Sequence, residues 1–298
     1  MSIQTCFSIK DLENLSGIKA HTIRIWEKRY NLLSPERSGT NIRTYDLTSL
    51  QKILNVALLI QHGHKISAIA SIPEKDLYRK VRELVVHNND SDYALNSFKL
   101  SMLNFDQPLF DHTYNQLLTQ HSFRDLFLNV FLTLLDDIGM LWATKTITPA
   151  HEHFISTLIK QKLLVNIERV QNTPFQEAKT FILFLPINEI HELGLLYIHF
   201  ELLLKGYKSI YLGPSVPIDN LKGLQKVYPN TEFVTYFTVE PKRDEALSYL
   251  EEMNVEILQE RGESVHVLGR NIQDIDTQKL TSSVHAYESI TAFVDSVD

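Results

Sequence analysis

The sequence of 298 residues contains a single cysteine, Cys6. One thiol can form neither an internal disulfide nor a cysteine metal cluster, so both are excluded and a reducing cytosol is favoured. No apolar run approaches the roughly 18 residues of a membrane span, and the polar start MSIQTCFSIK lacks the apolar segment of a signal peptide. We therefore expect a cytoplasmic protein without a membrane partner. No grouping of a nucleophile, a base and an orienting residue indicates an enzyme.

Charge is unevenly distributed along the chain. Residues 1–87 contain 13 Lys and Arg against 8 Asp and Glu, a balance of +5. The totals of 29 and 36 leave 16 and 28 for the remaining residues, a balance of −12. Phosphate attracts a basic segment and repels an acidic one, so the basic end is the predicted nucleic-acid end.

Two short helical patterns separated by a glycine turn follow the N-terminus. Ser8 and Asp11 predict a capped helix that ends at Ser16-Gly17. The second pattern runs from Ile18 to Tyr30 without Pro or Gly and has an apolar and a polar stripe. This order is the helix-turn-helix pattern, in which the second helix reads the major groove. The polar stripe predicted to face DNA consists of His21, Arg24 and Lys28, with Arg29 beside it.

Two short segments after this helix predict a hairpin wing. They are punctuated by Ser34-Pro35 and Ser38-Gly39 and would touch DNA phosphates through Arg37, Arg43 and Tyr45. The order helix, turn, IRIWEKRY, LLSPER and IRTYD resembles the DNA-binding domain of the MerR family over about residues 6–75, closest to the CarH-like branch of light-sensing repressors. The resemblance implies a double-stranded operator as the partner and a homodimer or homotetramer as the assembly. The other interpretation is a basic amphipathic helix that is merely solvated.

The pattern changes twice beyond a linker near residues 87–91. Residues 91–172 contain almost no Gly and have helical periodicity near 91–103, 107–120, 123–141 and 149–171, which predicts a four-helix bundle. After Ala178 the runs TFILFL, KSIYLG, EFVTYF and SVHVLG alternate with helical segments, which predicts an α/β doubly wound parallel sheet. We therefore expect a multidomain chain: an all-α winged helix-turn-helix domain over 1–87, the bundle over 91–172 and a Rossmann-like domain over 177–298.

A ligand of a doubly wound sheet binds beyond the carboxyl end of the first strand, where this sequence reads INEIHELG. Glu189 could bond one ring nitrogen of His191 and make the other a better metal ligand. The spacing ExHxxG resembles the DxHxxG signature of cobalamin-binding domains. The resemblance implies cobalamin as the cofactor, His191 as the ligand below cobalt, Glu189 as its partner and Gly194 as the point of backbone approach. On the residues alone, an ordinary surface pair stays open as the explanation.

A second motif lies in the predicted bundle. Trp142 precedes Glu152 and His153 at a spacing that resembles the upper-face motif of CarH-like cobalamin sensors, in which the bundle caps the corrin and the Trp faces the adenosyl group. The alternative is a core Trp at a helix end followed by two capping residues. Ala143 stands where light-sensing members have a His that takes cobalt after light breaks the cobalt–carbon bond, so the resemblance does not extend to that residue.

The sequence also departs from the cobalamin-binding pattern at the third and fourth strands. There the family has a small hydroxyl residue and a double glycine, which accommodate the nucleotide tail of the cofactor. This chain reads VTYFTV and LGRN; Gly269 is present, but Arg270 replaces the second glycine. We expect the long side chain of Arg270 to narrow the tail's channel.

Together these patterns predict a transcriptional regulator, a repressor by resemblance, and not an enzyme. Its C-terminal module would sense a cobalamin, with adenosylcobalamin and light as the ligand and signal that the resemblance suggests, and would set the oligomeric state. Two alternatives stay open. One is the same regulator with a ligand-free module used for assembly or partner binding, and the other is a corrinoid carrier subunit of a methyltransferase.

Overall fold

The structure is a computed structural model that describes residues 6–37, 42–73, 76–77, 79–81, 91–171, 176–228, 230–258, 263–273, 275 and 280–297. The chain divides into two compact units, residues 1–159 and 160–298. Ser38 and Gly39 of the predicted wing and residues 87–90 of the predicted linker lie outside the described residues.

The first unit begins with strand β1 (Cys6–Ser8), helix α1 (Ile9–Ser16) and helix α2 (Ala20–Tyr30). The predicted capping box is confirmed, since the Asp11 N–H donates to Ser8 Oγ at 3.2 Å and the Ser8 N–H donates to Asp11 Oδ2 at 2.8 Å. The predicted stop is also confirmed: Gly17 has a φ of 73° and its N–H donates to the carbonyl of Glu13.

A small antiparallel sheet completes the head, so the expected all-α domain contains three strands. Strand β2 (Glu36–Arg37) and strand β3 (Arg43–Asp46) form the predicted wing, and β1 pairs with the other edge of β3. Strand β1 was not predicted, because a three-residue strand shows no alternating pattern. Helices α3 (Leu47–Gln61) and α4 (Ile66–Ala70) follow. The predicted core residues of α3 are buried, namely Leu50, Ile53, Leu54 and Ala57.

The next helices match the four predicted helical stretches: α5 (Ser91–Asn104), α6 (Gln107–Leu118), the run of α7 (Phe123–Leu126) and α8 (Leu132–Ala143), and α9 (Pro149–Val170). A π-helical turn, Phe127–Phe131, joins α7 to α8. The core between α5, α6 and the π-helical turn is aromatic, with the Phe98 ring 4.9 Å from that of Phe110 and 5.3 Å from that of Phe131. Such ring pairs stabilise a core beyond their buried area.

The run Phe123–Ala143 is long and apolar enough to cross a membrane by length and composition alone. Its mean hydropathy is 1.6 over a stretch that is 39% buried. The sequence prediction underestimated this run because Asp136 and Asp137 interrupt it. Its buried residues, which include Leu134, Ile138 and Leu141, pack into the core of the first unit.

The second unit is built on a five-stranded parallel sheet, as predicted from the alternation of strands and helices. Its strands are β4 (Gln176–Phe184), β5 (Tyr207–Gly213), β6 (Thr231–Tyr236), β7 (Ser264–Leu268) and β8 (Val284–Ala286), in the order β5-β4-β6-β7-β8. Its helices are α10 (Leu193–Leu204), α11 (Leu224–Val227), α12 (Ala246–Met253) and α13 (Ile290–Ser296). Strand β8 was not predicted, because its three residues lie in a polar stretch.

Strand order reverses at β4, which pairs with β5 on one side and β6 on the other. Phe181 to Phe184 are fully buried on both faces of the sheet, as expected for the central strand of a parallel sheet. The carboxyl end of β4 is therefore the topological switch point, where ligands of this fold class bind.

A buried ion-pair cluster crosses the strands of the second unit. Glu232 on β6 accepts from Lys179 Nζ at 2.6 Å and from His266 Nε2 at 2.5 Å. Burial by itself would raise the pKa of Glu232, but the hydrogen bonds from His266 and Lys179 lower it to about 2. The ionised carboxylate therefore joins β4, β6 and β7.

This cluster makes the second unit acid-sensitive. Because the folded pKa of Glu232 lies below its unfolded value, its contribution to stability is present above about pH 4.5 and is lost as the pH falls toward 2, by on the order of 3 kcal/mol. Glu232→Gln should lower stability at pH 7 and flatten the pH dependence of urea unfolding in that window, monitored by circular dichroism. If the stability of Glu232→Gln falls as steeply with pH as that of wild type, a group other than Glu232 causes the acid sensitivity.

Candidate functional sites

The predicted DNA-reading residues of α2 lie on its exposed side. Ile23 is buried beneath the helix, whereas four polar side chains are exposed: His21, Arg24, Lys28 and Arg29. Ile25 is 53% exposed beside them. The row thus offers cationic donors and one apolar contact, the groups that bind base edges and thymine methyls in a major groove.

The wing places two guanidinium-bearing residues opposite each other, since Arg37 of β2 pairs with Arg43 of β3. Arg37 is exposed. Arg43 Nε donates to Glu27 Oε2 at 3.2 Å, which links the wing to α2. The sequence analysis did not identify Glu27, although a single carboxylate among the cations of this helix was a visible signal.

Tyr45 was predicted to contact DNA, and the structure contradicts this. Its side chain is 1% exposed, and its hydroxyl donates to Glu27 Oε1. Successive residues of a strand face opposite sides, and the register of β3 turns Tyr45 inward, opposite Phe7. Burial and the adjacent Glu27 raise the pKa of the Tyr45 hydroxyl, which stays protonated as a donor. Tyr45 therefore positions the wing against α2.

Tyr45→Phe tests this reassignment. It removes a hydrogen bond to a nearly buried carboxylate, so the first unit should lose about 1.5 to 3 kcal/mol of stability. Urea unfolding monitored by tryptophan fluorescence would measure this loss, because Trp26 and Trp142 both lie in the first unit. DNA affinity of the folded variant should stay within about twofold of wild type. A large loss of DNA affinity with an unchanged free energy of unfolding would instead indicate that Tyr45 contacts DNA directly.

The loop that follows β4 contains a fully buried carboxylate. Glu189 is 0% exposed although it lies at the edge of the sheet. Its Oε1 accepts from two backbone N–H groups, those of Ile190 and His191, each at 2.9 Å. Its Oε2 accepts from three N–H groups of the loop after β6, at 2.7 to 3.1 Å, which belong to Thr238, Val239 and Glu240. The carboxylate thereby ties the loops after β4 and β6 together.

The same carboxylate orients the imidazole of His191. Nδ1 of His191 lies 2.6 Å from Glu189 Oε1, and the His191 side chain is 46% exposed. Burial opposes ionisation of Glu189, but the hydrogen bonds from His191, Val239 and other backbone groups lower its pKa to about 2. An ionised carboxylate only accepts hydrogen bonds, so Nδ1 is the donor. Nε2, on the opposite side of the ring, is then the nitrogen with a lone pair for a metal.

An apolar rim is formed by the two loops that Glu189 joins. Three aliphatic side chains of these loops are 50 to 63% exposed, namely Ile187, Ile190 and Val239. Exposed aliphatic groups on the loops that hold an oriented imidazole are typical of a binding surface for a largely apolar ligand. Among the described residues, no group of three or more His, Cys, Asp or Glu could hold a metal ion. A metal at His191 would therefore need a chelator of its own, such as a macrocycle.

The residue after His191 is fixed separately. Glu192 Oε1 accepts from Lys160 Nζ at 2.5 Å, and Glu192 Oε2 accepts from the Tyr211 hydroxyl at 2.7 Å. This network holds the N-terminus of α10 against β5 and so helps to fix the His191 loop.

Glycines border the crevice at two points. A Cβ on Gly269 would lie 2.3 Å from the carbonyl oxygen of Phe237, so the glycine allows the ends of β6 and β7 to approach closely. A Cβ on Gly194 would lie 2.9 Å from Cζ of Tyr236, so the ring of Tyr236 covers this glycine. Arg270 is exposed, and the narrowing of the tail's channel by its side chain stays a prediction. Tyr236, which the sequence analysis did not identify, fills the space beside Gly194.

The residues therefore fit one part of a cobalamin and not another. The carboxylate-oriented imidazole within an apolar rim fits the lower axial position of cobalt beneath a corrin ring. The covered Gly194 does not fit the nucleotide tail that hangs from the same face of a cobalamin.

The three predicted upper-face residues lie in the first unit. Trp142, near the end of α8, is 51% exposed, which excludes its alternative assignment as a core residue. Glu152 and His153 occupy the first turn of α9, where Glu152 Oε2 lies 2.8 Å from His153 Nδ1 and Glu152 Oε1 accepts from Ser156 Oγ at 2.8 Å. A half-exposed indole and an ion pair are available for a ligand, and their role as a cap stays a prediction.

Comparison with known proteins gives two family matches. Residues 7–75 match the MerR HTH family regulatory protein model, and residues 94–165 match the B12 binding domain model. Two curated relatives come from Myxococcus xanthus. The HTH-type transcriptional repressor CarH is 26% identical over 221 residues, covering 72% of this chain and 73% of the relative. The HTH-type transcriptional repressor CarA is 29% identical over 223 residues, covering 72% and 70%.

A solved structure resembles this chain in fold. The monomethylamine corrinoid protein of Methanosarcina barkeri matches 70% of this chain and 98% of its own, with a TM-score of 0.58 and 12% identity. At this identity the likeness indicates a shared fold alone.

Proposed function

We propose that this homologue of the CarH and CarA repressors, with its MerR HTH domain and B12 binding domain, is a DNA-binding transcriptional regulator that senses a cobalamin. One observation carries the proposal: a buried, ionised Glu189 orients the exposed His191 at the switch point of the sheet. Relatives that are repressors favour a regulator over an enzyme, and a regulator of this kind acts in the cytoplasm beside its DNA.

The DNA partner is a double-stranded operator. The exposed row on α2 reads base edges, while the wing holds the backbone through Arg37 and Arg43. A single head reads one half-site, so we propose a homodimer or homotetramer that places two heads on neighbouring half-sites.

The ligand is held mainly by the His191 loop. Nε2 of His191 would coordinate the metal, Glu189 would hold Nδ1 as the donor and direct Nε2 outward, and the apolar rim would contact the apolar parts of the ligand. A corrinoid supplies cobalt with an axial position for an imidazole and, in the adenosyl form, a light-sensitive cobalt–carbon bond. We propose an adenosyl corrinoid as the form sensed, with Trp142, Glu152, His153, Gly194 and Gly269 as the remaining candidate contacts.

Regulation follows from differential affinity. A ligand shifts the assembly equilibrium only by the ratio of its affinities for the two states. A ligand that binds the assembled state about 100-fold more tightly would shift the equilibrium by about 2.7 kcal/mol. That is enough to change operator occupancy.

The DNA interface is tested with a duplex selected from a random library by the wild-type chain. Arg24→Ala should relax the preference for one base pair by about 1 to 3 kcal/mol, whereas Arg43→Ala should weaken binding to all sequences and flatten the slope of log affinity against log salt by about one unit. Lys222→Ala is the matched control, because Lys222 is a cation of the second unit paired with Asp219 and Glu256. An effect of Lys222→Ala as large as that of Arg24→Ala would mean that the head has been misassigned.

The sensor is tested by absorbance titration with adenosylcobinamide and with adenosylcobalamin in the dark, followed by operator binding and sizing before and after illumination. His191→Ala should abolish the spectral change. Glu189→Gln should weaken binding by about 10- to 100-fold, because an amide has one acceptor oxygen where the carboxylate has two, and its NH2 group would face N–H donors. If His191→Ala binds the corrinoid as tightly as wild type, His191 is not the metal ligand. If the corrinoid binds tightly but changes neither the operator affinity nor the size of the protein assembly, the protein does not act as a sensor.

A further inference from the structure

The ring of Tyr236 lies against Gly194, three residues after His191. Gly194 follows His191 by three residues and lies in the first turn of α10. Tyr236 is the last residue of β6, the strand next to β4. A methyl group on Gly194 would meet its ring at 2.9 Å from Cζ, 3.0 Å from Cε2 and 3.3 Å from Cδ2. The ring therefore lies against the bare Cα and takes the space that a side chain at position 194 would fill.

A cobalamin has two parts on its lower side, the axial position of cobalt and the nucleotide tail attached at the edge of the ring. When a protein imidazole takes the axial position, the tail must extend past that imidazole toward the protein. Gly194, in the first turn of α10, is the natural point for the tail to pass, since a glycine has no side chain. In this chain an aromatic ring takes the volume that the glycine leaves.

The other side of the His191 loop is closed as well. Tyr211 of β5 donates to Glu192, and Glu192 also pairs with Lys160. The His199 ring lies 5.6 Å from the Tyr211 ring, and His199 Nδ1 contacts Ser209 Oγ at 2.7 Å. A tail directed toward β5 would have to break this network.

We infer that Tyr236 is a specificity-determining residue that selects corrinoids with no nucleotide tail, of the cobinamide class, over complete cobalamins. The inference rests on the proposed function, because it assumes that His191 binds cobalt. A ring that clashes with one ligand and leaves the other untouched discriminates between them without weakening the preferred complex.

The test compares methylcobinamide with methylcobalamin, which share the upper ligand and the corrin and differ in the tail. Each is titrated in the dark into the full chain, and binding is monitored by absorbance. Methylcobalamin must first release its own base, but this cost is the same for every variant. The change in the affinity ratio between variants therefore isolates the effect of the ring.

Tyr236→Ala and Tyr236→Ser should each raise methylcobalamin affinity by about tenfold or more and change methylcobinamide affinity by less than about threefold. Tyr236→Phe is the matched control: it keeps the ring, so its ratio should equal that of wild type. Circular dichroism and the His191-dependent spectrum with methylcobinamide verify that each variant is folded and competent to bind.

The outcomes separate this inference from the function on which it rests. If methylcobinamide binding requires His191 but the ratio of methylcobalamin to methylcobinamide affinity is unchanged in Tyr236→Ala and Tyr236→Ser, Tyr236 does not determine specificity. The proposed sensor function is then still supported. If neither corrinoid binds to wild type or to the small variants, the sensor and the specificity assignment fail together.

Discussion

The carboxylate of Glu189 is the contact on which the crevice of the second unit depends. A buried carboxylate is tolerated only when hydrogen bonds replace its lost hydration. Here five backbone N–H groups and one imidazole N–H surround it, drawn from loops about fifty residues apart in sequence. The same bonds that stabilise the anion hold the loops after β4 and β6 together. They also fix the tautomer of His191, so fold and coordination chemistry share one group.

The head has a comparable arrangement around Glu27. This carboxylate lies on the DNA-facing helix, yet its side chain is only 8% exposed, and it accepts from Arg43 and Tyr45 of the wing. It neutralises part of the charge of the wing while fixing the wing's position. A positioned cation loses less conformational entropy on binding phosphate than a mobile one. The acid beside the basic row therefore keeps the wing's Arg43 in a fixed position, although its own charge would repel a phosphate.

Much of the fold could be predicted from the sequence because the signals were local. The apolar spacing of α5 to α9 and the short β-rich runs of β4 to β7 lie within single elements, and the ExHxxG spacing lies within one loop. Strands β1 and β8 escaped prediction, since three residues give no periodicity. The inward direction of Tyr45 depends on its pairing with Phe7, 38 positions away. The contact of Tyr236 with Gly194 likewise joins residues 42 positions apart, and no local pattern reveals such packing.

Glu189 is one methylene longer than the Asp of the signature that its loop resembles. The carboxylate of an Asp at this position would be drawn back toward the backbone by about 1.5 Å, one carbon–carbon bond. It could keep its bonds to the neighbouring N–H groups of its own loop, but it would fall short of the loop after β6. The length of this one side chain therefore sets the width of the gap between the two loops. A chain that returned to Asp would need a compensating rearrangement near Val239, so the substitution that looks most conservative is a change of geometry.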